Sequence, residues 1–68
     1  MSPLAITRNL DRIRQLRKTE REAQHDAVLR QTRAELDRLA RATAKALRQS
    51  DYWAEPVKES YLAELETR

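Results

Sequence analysis

His25 is the single imidazole in a chain that has no cysteine, so a zinc or other thiolate–imidazole centre would need ligands that this sequence does not supply. Glu22 and Asp26 are near it in sequence, but only Glu22 would share its side of a helix. The expected role is a histidine at a helix end or interface. Ser2, Ser50 and Ser60 fall in cap or helix contexts with no base at hand, and without glycine there is no phosphate-cradling loop. The sequence therefore predicts no catalytic residues, no metal and no cofactor. A chain this short also offers little enclosed volume for a pocket.

Two other groups of side chains are suited to binding rather than reaction. Arg30, Arg38, Arg41, Lys45 and Arg48 would gather within roughly 80° of a helix circumference. That stripe is either a solvated back face, paired at its margins with Asp26, Glu35 and Asp37 for a few tenths of a kcal/mol each, or a contact surface for phosphates or an acidic protein. A second cluster, Arg14, Arg17, Lys18 and Arg21, could extend it. Tyr52 and Trp53 stand side by side near Arg48, Asp51 and Pro56. Adjacent helical side chains point about 100° apart, so burying both rings in one small core is difficult. Either Trp53 plugs the core with Tyr52 at its rim, or one ring is exposed as a protein-binding hot spot.

The element that must position these groups is the long amphipathic stretch from Thr19 to Ser50. On a helix, Val28, Leu29, Thr32, Leu36, Leu39, Thr43, Ala46 and Leu47 share a stripe roughly 100° wide, nearly opposite the cations. Before it, Ser2 and Pro3 form a helix start, and Ile6, Leu10, Ile13 and Leu16 recur at helical spacing. In one straight helix from 3 to 50 the two apolar stripes would be rotated by roughly 100° from each other, so no single surface could cover both. The apolar pattern lapses between Arg17 and Asp26, and Thr19 to Glu22 matches a capping box. The reading is a break near Thr19, with a single helix of about 70 Å as the rival. Pro56 ends the second helix's periodicity and starts a third, whose apolar edge is Val57, Tyr61 and Leu65 with Leu62 beside them. Thr67 and Arg68 should fray.

The expected fold is thus all-α, a single domain over 1–68: helix one from about Pro3 to Lys18, helix two from about Glu20 to Gln49, and a short third from Pro56 to Glu66. Nine Leu, two Ile, two Val, one Met, one Trp and two Tyr make a thin core, and 37% of residues are charged, so self-association is a natural remedy. The expected arrangement is a helical-bundle homodimer with Leu29, Thr32, Leu36, Leu39, Thr43 and Leu47 at the interface. No apolar run approaches a membrane span and no secretory signal opens the chain, so a cytoplasmic protein is expected.

With 14 Lys and Arg against 11 Asp and Glu, a net charge of +3 mildly favours anionic partners. The leading expectation is a small non-catalytic protein that docks on a larger protein and modulates or inhibits it, of the kind phage or plasmid regulatory genes encode. Tyr52, Trp53, Arg48, Arg41, Lys45 and Arg38 are its expected contacts. The alternative is a nucleic-acid-binding dimer that uses the basic face; no recognition-helix or RNA-binding-sheet signature accompanies it. A third reading is an assembly helix within a larger particle. Membrane-surface binding is disfavoured, because Thr32 and Thr43 interrupt the apolar stripe and no aromatic anchors flank it.

Overall fold

A computed structural model describes residues 1–67, and the chain is all-helical over them: α1 spans Pro3–Glu22, α2 Asp26–Gln49 and α3 Glu55–Glu66. Ser2 caps α1 through its hydroxyl oxygen, which accepts from Ala5 N–H at 3.2 Å, and Pro3 follows where its missing N–H costs nothing. The chain does break between the two apolar stripes, but four residues later than the capping pattern indicates. Thr19 Oγ1 donates to Gln15 O at 3.1 Å, one turn back within α1, so Thr19 caps nothing and α1 runs on to Glu22. The reversal is made by Ala23, Gln24 and His25, where Ala23 and His25 have extended backbones (φ −67°, ψ 132° and φ −113°, ψ 130°). Any L-residue adopts those angles, so the turn needs neither glycine nor proline.

α1 and α2 pack antiparallel, as shown by the pairs Asn9 with Thr43, Arg12 with Glu35, and Glu20 with Arg33. Ile6, Leu10, Ile13 and Leu16 are buried, and all but Leu16 join Ala44, Leu47 and Leu65 in one cluster, with Leu36, Leu39, Ala40 and Ala46 packed against it. The α2 stripe thus finds helices of its own chain. Thr43 and Leu47 are fully enclosed and Thr32 nearly so, while Leu29, Leu36 and Leu39 are half-buried. Two departures from the expected stripe follow from where α3 lies. Val28, near the turn, is 42% exposed, and Ala44, outside the stripe, is buried. Thr32 satisfies its hydroxyl on Val28 O at 2.7 Å, and Thr43 Oγ1 accepts from Asn9 Nδ2 at 3.2 Å, so the two threonines are tolerated inside.

Ser50 ends α2 and the linker through Ala54 turns the chain back. α3 begins at Glu55, one residue earlier than the proline suggests, with Ala54 rather than Glu55 as its cap. Its backbone lies against α2 and not against α1. Leu65 is buried, Tyr61 and Leu62 are half-buried, and Val57 is 40% exposed, so the inner edge is rotated away from Val57 toward Lys58, whose stem is covered. α1 holds the last turn of α3 by arginine arms. Arg14 Nε and Nη2 each reach one oxygen of Glu64 at 3.1 Å, and Arg17 Nη2 donates to the carbonyls of Leu65 at 3.4 Å and Thr67 at 2.9 Å. Thr67, expected to fray, is instead tied down, since its N–H and hydroxyl both bond Ala63 O; Arg68 lies outside the described residues. The molecule measures 40 × 19 × 15 Å, close to the roughly 36 Å rise of α2 along its long axis.

Candidate binding surface

Arginine is divided between two duties by the helix faces. Arg12 pairs with Glu35 (3.1 Å), Arg14 with Glu64 and Asp11 (3.1 and 3.3 Å), Arg33 with Glu20 (3.1 Å), and Arg48 with Glu66. Together with Arg17 on its carbonyls, these stitch the three helices to one another. The Arg14 guanidinium is held above its ordinary range, first by its hydrogen bond to Glu64, then by that carboxylate's charge. A raised value in the folded state means that this arginine's contribution is present throughout the range in which proteins fold and is lost only at extreme alkali.

Arg30, Arg38, Arg41 and Lys45 behave differently. All four are exposed on the outer side of α2, and none has an ion pair among the described residues. The carboxylates expected to neutralise them are directed elsewhere or left apart. Glu35 is turned to Arg12, Asp37 has an interaction of its own and lines the groove beside Arg33, and Asp26 forms no ion pair with Arg30. Between residues 27 and 49 no other acid exists. Around this row sit the exposed small residues Ala27, Ala34 and Ala42, with Gln31 and Gln49 at its edge. At its C-terminal end Lys45, Ala42, Ala46, Gln49, Ser50 and Met1 line a shallow hollow of about 390 Å³.

The second cationic cluster does not extend this row. Arg14 and Arg17 are engaged with α3, leaving only Lys18 and Arg21 exposed and without ion pairs among the described residues. An open groove of about 650 Å³ at the turn end is lined by Arg17, Arg21 and Arg33 together with Glu20 and Asp37, over Leu36, Ala40 and Leu65. Its charges are of both signs, so it makes no one-sided electrostatic demand.

Trp53 packs against the core and is half-buried, edge-on to Tyr52 (5.0 Å between ring centres, 83° between planes) and to Tyr61 (5.3 Å, 84°). Tyr52 is 70% exposed, so of the two adjacent rings it is the one offered to solvent. Trp53 Nε1 is buried and has no acceptor among the described residues. His25 is the exposed residue that precedes α2, at its N-cap position, and its side chain makes no capping hydrogen bond. Among the described residues no cluster of three or more His, Asp or Glu could hold a metal ion, and no helix is long and apolar enough to cross a membrane.

The arrangement brings Arg38, Arg41 and Lys45 into one row without ion pairs among the described residues, sets Arg48 apart by pairing it with α3, and places Tyr52 beyond the end of that row. The ties made by Asn9, Arg12, Arg14, Arg17 and Arg33 have no local signal in the sequence, because each joins residues at least thirteen positions apart. In comparisons of the chain with protein-family models, curated proteins and solved structures, nothing matches.

Proposed function

We propose that this chain is a small non-catalytic helical module that binds a larger protein and modulates or inhibits it, with Arg38, Arg41 and Lys45 on the outer face of α2 as its principal contacts and Arg48, Tyr52 and Trp53 at the adjoining corner. The observation that carries the reading is the row of exposed cations without ion pairs among the described residues, on a helix whose other side is committed to the core. Unneutralised charges close together repel one another by a few tenths of a kcal/mol per neighbouring pair, a cost that an anionic partner turns into attraction. A cytoplasmic setting belongs to the same proposal.

The test is affinity capture from the native host with the whole protein, comparing wild type with Arg38→Gln/Arg41→Gln/Lys45→Gln. One protein recovered in fixed stoichiometry by the wild type and lost from the variant is the expected result. Equal recovery by both would remove the proposed surface.

The same row favours a second reading, a nucleic-acid contact through phosphates, because a straight cationic helix can follow a backbone without reading bases. Such binding would fall by about 0.9 log unit per tenfold rise in salt for each phosphate neutralised, so a mobility-shift titration with and without the triple substitution separates it from a protein contact. A homodimer is also proposed, on a smaller surface than the whole stripe: Thr32, Thr43 and Leu47 are enclosed within one chain, leaving the half-buried Leu29, Leu36 and Leu39 for a second copy. Sedimentation equilibrium of wild type and Leu36→Gln measures it; an unchanged mass near one chain for both would exclude it.

A further inference from the structure

We infer that the outer face of α2 is a seat for an acidic amphipathic helix of the protein partner, laid along the row from Arg30 to Lys45. The inference rests on the protein-binding reading and adds the shape and chemistry of what binds. Three observations carry it. The first is charge: Arg30, Arg38, Arg41 and Lys45 are exposed and without ion pairs among the described residues, and of the acids on α2 Glu35 is turned to Arg12, Asp37 has an interaction of its own, and Asp26 stands one turn before Arg30 at the N-terminal end. The second is spacing. Arg38, Arg41 and Lys45 stand three and four residues apart, steps of about 4.5 and 6 Å along the axis, and Arg30 extends the row to about 22 Å. Carboxylates at the i, i+3 and i+7 positions of another helix repeat at the same rise, so an acidic stripe meets the cationic one in register over two to three turns.

The third is relief. Exposed Ala27, Ala34 and Ala42 lie among the cations, so nothing larger than a methyl group blocks approach between the long side chains. Helix axes come within about 8–10 Å where small residues face each other, and there the arginine stems add apolar contact while their guanidinium groups reach around to the partner's acids. A phosphate backbone would use this face less well. Ser, Thr and Asn, whose short side chains fix register on phosphates, are absent from the arc, and Asp26 occupies the first turn of α2, where the helix would otherwise attract an anion.

The test uses the full chain and three fluorescent probes: a 21-residue helix-forming peptide with all its Glu on one face and Ala and Leu on the other, a peptide of the same composition with the Glu scattered around the helix, and a 16-base-pair DNA duplex. The one-faced peptide should bind at least five-fold more tightly than the scattered one. Its affinity should fall at least ten-fold in Arg38→Gln/Arg41→Gln/Lys45→Gln, and several-fold in Ala34→Tyr, which fills the seam at unchanged charge. Circular dichroism of both variants must match wild type, as expected for exposed positions. Equal binding of the two peptides, or indifference to Ala34→Tyr, would overturn the helix seat. If native-host capture still yields a partner lost from the triple variant, the protein-binding reading survives that failure. Tighter binding of the duplex than of either peptide would overturn both.

Discussion

At the residue scale, two side chains show how different kinds of burial are felt. Leu47 has no exposed surface and contacts the cluster built by α1, so Leu47→Ala should cost about 3 kcal/mol through lost apolar transfer and the cavity left behind. Urea unfolding followed by circular dichroism measures it. Trp53 combines packing with a buried N–H that has no acceptor among the described residues. Trp53→Ala should therefore destabilise by about 3 kcal/mol, whereas Trp53→Phe, which keeps an aromatic ring and removes the orphan donor, should stay within about 1 kcal/mol of wild type. If Trp53→Phe were as damaging as Trp53→Ala, the indole N–H would have to be making a bond that the structure does not show. The sequence poses the choice for the Tyr52–Trp53 pair but does not decide it, because which ring turns inward depends on the return angle of α3 and on Tyr61, eight residues further on.

At the element scale, α3 is the part held least by apolar contact and most by charge. Only Leu65 of its residues is buried, and its last turn is fixed by Arg14 and Arg17. Removing both arms with Arg14→Ala/Arg17→Ala should cost about 1–2 kcal/mol, from a bidentate exposed pair and two hydrogen bonds to carbonyls. Amide hydrogen exchange should locate the effect, with the amides of Ala63 to Thr67 opening faster while Ile13 and Thr43 lose no more protection than the global change requires. Uniform loss across all three helices would mean that α3 and the hairpin unfold as one unit. That the hairpin exists is legible in the sequence, since two stripes out of phase by roughly 100° cannot share a surface unless the chain reverses. Where it reverses is not. Thr19 and Glu22 satisfy a four-residue pattern that is purely local, and Thr32 to Glu35 satisfy it again inside α2; the helix continues through both because the backbone at Ala23–His25 bends without any residue that marks a turn.

At the scale of the whole molecule, the apolar stripe of α2 is readable as a packing surface, but a stripe carries no label for its partner. The 20-residue α1 and the 12-residue α3 cover it from within the chain, which narrows what a second copy could touch. The basic stripe is readable as a set of positions, but its lack of counter-ions is not, because that depends on Glu35 reaching twenty-three residues back to Arg12. The two faces of α2 should accordingly separate in experiment. Arg38→Gln/Arg41→Gln/Lys45→Gln touches no contact that holds the helices together, so thermal melting should show stability within about 0.5 kcal/mol of wild type.

Under the proposed function, folding and binding are carried by opposite sides of one helix. Titration calorimetry of the captured partner against the folded triple variant tests it most directly: an affinity at least ten-fold weaker than wild type is predicted, and an affinity within two-fold of wild type would contradict it.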